Sequence, residues 1–329
     1  MKNIFRDKVI MVTGGCGSIG SEIVKKLLLF KPKAIRVFDN NESNLFYLGH
    51  ELKNKSIRLL LGDIRDRNRV YRAMKNVDIV FHAAALKHVP LCEYNPFEAV
   101  STNVIGTENL ISAAIDNDVK KFIGISTDKA VNPINTMGAT KLLSEKIVID
   151  TSLSEMRIKF CCVRFGNVLD SVGSVIPIFR KQIKNNVPLT ITDKEMTRFF
   201  MTMPDAINLV LKAAEITEGG EIFILKMDAI KIIDLAEALI EVLGPKYGHK
   251  PQDIKMEFIG RRAGEKMHES LMTDEESIYA EDTGDMYILR RPSVSDIVKT
   301  KPKIDNNSKN VKCLSIDEIK KLLYEAKII

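Results

Sequence analysis

An unbroken apolar run, KVIMVTG at residues 8–14, leads straight into TGGCGSIG at 13–20 and then into a helical stretch. Gly14, Gly17 and Gly20 are spaced GxxGxxG, and Gly15, Gly17 and Gly20 also satisfy GxGxxG. Glycines at a strand-to-helix turn permit a tight reversal and a close backbone approach to an anion. The helix behind them aims its free N–H groups at that charge. Alone the motif is weak evidence, but here it follows the first strand and opens the first helix, as the dinucleotide fingerprint requires. Asp39 ends the second apolar run, AIRVFD, 19 residues beyond Gly20. An acid there accepts ribose hydroxyls and repels a 2′-phosphate, so Asp39 favours NAD over NADP; the alternative is a helix N-cap. Asp63, in LGDIRD, is placed to accept from an adenine amine, or is a strand-end turn residue.

The rest of the first half repeats the strand–helix rhythm. Helices are expected over 18–30, over ESNLFYLGHEL, near 66–75, over 96–116 and from 136 to 154. Between them run SIRLLLGD, VDIVFHAA, KKFIGIST and IKFCCVRF. Strands apolar throughout are buried on both faces, which marks a parallel sheet. The fold class is α/β, a doubly wound parallel (Rossmann) sheet with a smaller C-terminal substrate-binding part. Residues 1–170 form the dinucleotide-binding domain and 171–329 the substrate part, interleaved with the sheet edge. There, helices near 204–217 and 231–243 mix with short strands near 190–192 and at 221–226. The basic stretch in 297–312 reads as a surface loop, and SIDEIKKLLYEA as a final helix capped by Ser315 with Glu318.

Hydrophobic residues make up 45% of the 329 residues and charged ones 28%, which excludes wholesale disorder. A net charge of +6, spread along the chain, suits an anionic small ligand better than nucleic acid. The five cysteines are odd in number and form no CxxC, so neither a metal site nor a disulfide framework is expected. No apolar stretch approaches the roughly 18 residues of a membrane helix, and MKNIFRDKVIMVTGG enters a strand with no cleavable signal. A cytoplasmic protein without a membrane partner is expected.

TGGCGSIG, GDIRD, HAAALKHVP and STDKAVNPINTMGATK together resemble the extended short-chain dehydrogenase/reductases. The last two resemble, more narrowly, the UDP-N-acetylglucosamine 4,6-dehydratases of polysaccharide biosynthesis, in the inverting form that also epimerises C5. RFGNVLDSVGSVIPIF, MTRFFMT and RRAGEKMHE extend the likeness to about residue 293. The resemblance implies NAD or NADP, tightly bound and recycled, held by Gly14, Gly17, Ser18, Ile19, Gly20, Asp39, Asp63, Ile64, Ala83, Ala84, Lys87 and Lys141. Lys87 is expected to face the nicotinamide end.

The same resemblance places Thr127 as the group that orients the substrate hydroxyl and Lys141 as the lysine beneath the nicotinamide ribose. The usual tyrosine position holds Met137, and a thioether cannot serve as a base. Asp128 is implied as the acid at the C6 hydroxyl and Lys129 as the base at C5. Lys129 is then expected to be partly neutral, its pKa lowered by burial and by Lys141. Asn167, Arg198, Arg262 and Glu265 are the implied ligands of a UDP-sugar, the arginines through bidentate bonds to phosphate. His82 and His88 lie in no metal pattern. A homo-oligomer is expected. The alternatives are a retaining 4,6-dehydratase or UDP-sugar 4-epimerase, and a non-catalytic dinucleotide-binding protein.

Overall fold

The computed structural model describes residues 3–290 and 304–329. Its first six strands are β1 (Val9–Thr13), β2 (Ala34–Asp39), β3 (Ile57–Leu61), β4 (Ile79–His82), β5 (Lys121–Thr127) and β6 (Lys159–Phe165). Eight more follow: β7 (Asn167–Val168), β8 (Leu189–Ile191), β9 (Thr197–Met201), β10 (Glu221–Leu225), β11 (Ala229–Lys231), β12 (Met256–Phe258), β13 (Glu281–Asp282) and β14 (Met286–Leu289).

Nine strands form one sheet in the order β13-β14-β10-β6-β5-β4-β1-β2-β3. From β3 to β10 every pairing is parallel, and β14 and β13 close the far edge antiparallel. The strand order reverses between β1 and β4, the switch point where open α/β sheets bind ligands at the carboxyl ends of their strands. Register brings those ends level: Thr13 lies opposite Phe38 and His82, and Thr127 opposite Phe165.

Helices cover both faces. Ser18–Leu28 and Met203–Ile216 pack on one side, around Ile10, Val12, Val163 and Phe223. On the other side Arg67–Met74, Gly106–Asp116 and Thr136–Ser154 pack around Met11, Val80, Phe122 and Phe160. A separate core, with Ile191, Leu239 and Leu323, joins helices Val175–Lys184, Ile232–Lys246 and Ile316–Glu325. Ser315 and Glu318 form the reciprocal cap of the last of these.

Three expectations need correction. SIRLLLGD is a strand, but Leu59 and Leu61 of β3 are 40% and 52% exposed, because β3 is the sheet's edge and, among the described residues, pairs only with β2. An apolar run identifies a strand without saying how many neighbours it has. The helix over 96–116 is interrupted by a π-helical turn, Ser101–Ile105, between Pro96–Val100 and Gly106–Asp116, and a short helix, Val89–Tyr94, precedes it. The π turn turns Asn103 inward, where it accepts from Leu86 N and donates to Leu86 O and Thr140 Oγ1, fastening the loop after β4 to helix Thr136–Ser154. Finally, residues 297–303 lie outside the described residues, and 304–312 is a surface loop only in part: Asp305, Lys309, Asn310 and Lys312 are exposed. Asn306 and Ser308 are buried, and Ser308 N donates to Glu269 O at 2.8 Å. These two residues face inward and bond to the protein while their neighbours face water, which composition alone does not reveal.

Candidate functional site

A cavity of about 910 Å³ opens along the carboxyl ends of the sheet strands. Its floor is the glycine turn. Gly14 has φ +62, and a Cβ there would sit 2.6 Å from Ala84 N. A Cβ on Gly20 would run into the Gly14 carbonyl, so this side of the turn is bare backbone by necessity. The N-cap of helix Ser18–Leu28 is Gly17, which places no side chain over the helix end. The first-turn amides of Ser18, Ile19 and Gly20 therefore face the cavity as an anion cradle.

Asp39 lines the same cavity and is not a helix cap. Its Oδ2 accepts from Cys16 N at 2.9 Å and its Oδ1 from Asn41 N at 3.0 Å, whereas Asn41 is the N-cap of helix Glu42–Leu52. The carboxylate thus ties the glycine turn to the end of β2 and stays at the wall. A turn without Cβ atoms, an uncapped helix start and a carboxylate at the second strand fit a dinucleotide's pyrophosphate and ribose. Asp63 also lines the cavity, but Arg65 grips both its oxygens and holds the carboxyl below its ordinary range, with Glu98 on the other side of the guanidinium. Ile64, Ala83, Ala84 and Lys87 also line the cavity. Lys87 Nζ donates to Val172 O at 2.6 Å, and burial lowers its pKa.

Thr127, Lys129, Met137, Lys141 and Asn167 share the other end of the cavity wall. Lys141 Nζ donates to Ile125 O at 2.5 Å, and burial lowers its pKa. Met137 is 3% exposed and packs with Cys92 and Ala99. Asp128 stands behind this wall, wholly buried. Its Oδ1 accepts from Thr127 Oγ1 at 3.0 Å and from Lys129 Nζ at 2.9 Å, and its Oδ2 has no hydrogen-bond partner among the described residues. Lys129 Nζ also donates to Asn167 Oδ1 at 3.2 Å and lies 3.7 Å from Glu269 Oε1.

These neighbours overturn the expected direction of the Lys129 pKa. Burial lowers it, as anticipated, but Asp128 and Glu269 outweigh burial and hold the ammonium above its ordinary value. Two carboxylates close to one amine favour its charged form more than desolvation disfavours it.

The expected sugar-nucleotide residues are not all brought together. Asn167 lines the cavity, while Arg198, Arg262 and Glu265 do not. Arg198 is buried on β9, and its donors are engaged by the carbonyl oxygens of Thr197, Lys266 and Met267. It clamps the 266–267 backbone and its other close neighbours are the carboxylates of Glu265 and Glu269, so it sits in the wall and not on the cavity. Arg262 is exposed, and Glu265 accepts from its backbone N. This loop docks onto the site through Asn135, which caps helix Thr136–Ser154 and donates to Gly264 O at 2.8 Å.

Glu269 is the residue that motif reading passed over. It ends RRAGEKMHE, so its position was visible, but nothing local distinguishes it from a surface glutamate. In the fold it is 2% exposed. His82 is equally buried, its ring nitrogens paired with Thr13 and Thr107. Among the described residues no group of three or more His, Cys, Asp or Glu side chains is arranged to hold a metal ion, and no helix is long and apolar enough to cross a membrane.

Residues 10–291 match the family described as polysaccharide biosynthesis protein. An uncharacterized membrane protein, MJ1061, of Methanocaldococcus jannaschii is 55% identical over 99% of this chain and 98% of its own. A UDP-glucose 4-epimerase of Rickettsia bellii is 43% identical over 97% and 96%. Among solved structures, Pen from Bacillus thuringiensis superposes with a TM-score of 0.94, at 44% identity and 99% coverage of both chains. DesIV, a dTDP-glucose 4,6-dehydratase of Streptomyces venezuelae, shares the fold with a TM-score of 0.71, at 22% identity over 79% of this chain and 86% of that one.

Proposed function

The chain belongs to the polysaccharide biosynthesis protein family and has the fold of the extended short-chain dehydrogenase/reductases, and on that premise we propose that it is a nucleotide-sugar 4,6-dehydratase. The substrate we propose is UDP-N-acetylglucosamine, with inversion at C5. The observation that carries the reading is the Asp128–Lys129 couple at the cavity wall, hydrogen-bonded at 2.9 Å, in a site whose tyrosine position holds Met137.

When bound, a nicotinamide dinucleotide supplies transient oxidation at C4 and the hydride later returned to C6. Asp39 supports NAD as its form. The ketone at C4 acidifies the C5 hydrogen, and the protein must then move two protons. At rest Lys129 is the ammonium, and Asp128 is its counter-ion. Transfer of the shared proton along their hydrogen bond leaves a neutral amine and a protonated carboxyl, the forms that elimination needs. Lys129 Nζ takes the C5 proton as the C5=C6 bond forms and the C6–O bond breaks. Asp128 supplies the proton that leaves with the C6 oxygen as water. Asp128 does not face the cavity, so the Thr127 hydroxyl, bonded to its Oδ1 and exposed to the cavity, relays that proton. Elimination restores the ammonium and the carboxylate, so the couple is reset each turnover. The proton that leaves the C4 hydroxyl on oxidation passes to solvent; solvent returns one proton to C5 from the face opposite Lys129 as hydride reaches C6, which inverts that centre and balances the turnover.

Asn167, fixed by Lys129 at the wall, supports the sugar end of the substrate, with Arg262 and Glu265 at the loop rim. Large apolar side chains left in water, with Tyr94 86% and Phe97 87% exposed, support a homo-oligomer.

Incubation with UDP-N-acetylglucosamine in D₂O, followed by NMR, tests the reading. The expected product is a 4-keto-6-deoxy sugar nucleotide with deuterium at an inverted C5. A retained C5 configuration makes the enzyme a retaining dehydratase. The relatives named UDP-glucose 4-epimerase favour a second reading, for which a C4 epimer with its C6 hydroxyl intact is the signature. No reaction with a bound dinucleotide ends both.

A further inference from the structure

Four segments far apart in the chain converge on one carboxylate behind Lys129. Glu269 N donates to Ser308 Oγ at 2.9 Å, and Ser308 N returns a bond to Glu269 O at 2.8 Å. Ser308 is itself pinned to Thr197 Oγ1 on β9 at 2.7 Å. Arg198, the next residue of β9, clamps the carbonyl oxygens of Lys266 and Met267, and Lys266 Nζ donates to Val131 O beside the catalytic segment. The backbone at Glu269 is therefore held from both sides, and its side chain has one direction to take.

That direction is into a cluster of cations. Lys129 Nζ lies 3.7 Å from Oε1, Arg198 Nε 4.0 Å from Oε1 and Lys266 Nζ 3.4 Å from Oε2. Oε2 is buried with no hydrogen-bond partner among the described residues. A side chain placed only to anchor a fold satisfies its oxygens, because an unmet buried acceptor costs stability. This carboxylate instead contributes charge at a distance.

We infer that Glu269 is the positioning carboxylate of Lys129, setting how tightly the amine holds its proton during elimination. The inference rests on the dehydratase reading. Lys129 is faced by Asp128 from its own segment, by Glu269 from the docked loop and by Arg198 from β9; Asn167 is its neutral partner. Asp128 exchanges the proton with Lys129 along their hydrogen bond, whereas Glu269 lies at ion-pair distance with no such bond to pass a proton along. It stabilises the ammonium formed when Lys129 takes the C5 proton. The same charge opposes early loss of that proton, so the couple stays loaded until the C4 ketone is present.

The test reads Lys129 directly. Lysine side chains are labelled with ¹³C in the dinucleotide-bound full chain, and the Lys129 signal is identified by its loss in Lys129→Arg. The titration is run without sugar. In Glu269→Gln the Lys129 amine loses its proton at a pH about one unit lower than in the wild type. In turnover, kcat falls about tenfold at the wild-type optimum with little change in KM, and the limb of the pH profile set by Lys129 moves to lower pH. Glu269→Asp keeps the charge one methylene farther away and falls between the two. An unchanged Lys129 titration in a folded Glu269→Gln overturns the inference. If that variant does not fold, an unchanged titration in Glu269→Asp does so. A wild type that eliminates no water ends the dehydratase reading, and the titration still reports whether Glu269 governs the amine.

Discussion

The glycine cradle and the wall behind Lys129 face the same cavity and are built in opposite ways. The cradle is a few consecutive residues, closed by a bond from Gly17 N to Gly14 O, and its chemistry is backbone N–H groups at a helix start. The wall is assembled from β5, β6, β9, the loop ending at Glu269 and the 306–308 segment; one of its ties, Lys266 to Val131, spans 135 residues. The cradle carries almost no side-chain charge. The wall crowds Lys129, Lys266 and Arg198 against Asp128 and Glu269. An anion cradle needs only backbone conformations, which glycine spacing specifies locally. A proton-moving couple needs balanced charges in a dry place, and only tertiary contacts supply those.

The sharpest way to separate the two regions is Lys129→Ala. Removing the proposed base is expected to slow dehydration by two to four orders of magnitude. Dinucleotide binding, measured by calorimetry, is expected to hold, because no cradle residue contacts that amine. If both were lost together, cradle and wall would be one cooperative unit and the contrast would fail.

A second large effect concerns what ties the wall to the sheet. Arg164 of β6 is 1% exposed and bridges Glu145, on the helix that carries Lys141, to Glu276 near the docked loop. Burial pushes the Glu276 carboxyl up, but Arg164 outweighs it and holds the carboxyl below its ordinary value. Arg164→Met leaves the buried Glu145 carboxylate and the partly buried Glu276 one without their counter-ion and is expected to cost about 3–5 kcal/mol in denaturant unfolding. Adding Glu145→Gln is expected to recover part of that. Full additivity of the two losses would mean that they are not a coupled pair.

On the cradle side the matching buried group is neutral. Burial, with the Lys141 charge adding to it, lowers the His82 pKa from 6.5 to about 3. The unfolded chain therefore binds a proton below pH 6.5 that the folded chain refuses until about pH 3. His82 lets stability fall as pH drops through that window and contributes no slope above it, with a steepest value of about 1.4 kcal/mol per pH unit. Comparing unfolding of the wild type and His82→Gln from pH 7 to 4 isolates this slope; equal slopes would show that His82 is protonated in the fold.

The same division explains what could be read from the sequence. Thr136–Ser154 and Ser18–Leu28 fall where the strand–helix alternation and glycine punctuation put them, and Asp39 stands at the end of its strand as its spacing from Gly20 implied. SIRLLLGD was legible as a strand but not as an edge, since neighbours are a property of the sheet. Arg198 looked like a phosphate ligand because guanidinium chemistry suits phosphate; the carbonyl oxygens of its neighbour Thr197 and of the distant Lys266 and Met267 accept from it instead. Lys129 was expected to have a lowered pKa because burial is readable from an apolar strand end. The opposing charges are Asp128, its neighbour in the chain, and Glu269, which comes from another segment. Ser308 lay in a stretch whose polarity suggested water, yet its hydroxyl is paired with Thr197 inside the protein.

The smallest effect tests the comparison at its local limit. Ser315 and Glu318 form a capping box that was visible as Ser-x-x-Glu before an apolar stripe, and the helix it starts buries Ile319 and Leu323 in the separate C-terminal core. Both helix-end donors are satisfied within four residues, so the motif owes nothing to the cavity. Ser315→Ala removes one capping acceptor and is expected to lower stability by about 1 kcal/mol, seen as a thermal midpoint lower by about 2–4 °C. Turnover is expected to be unchanged. If kcat moved as well, the C-terminal helix would be coupled to the Lys129 wall through 304–312, the segment that grips Glu269. The boundary between locally specified and tertiary-built regions would then lie much farther from the active site than the contacts at Ser308 suggest.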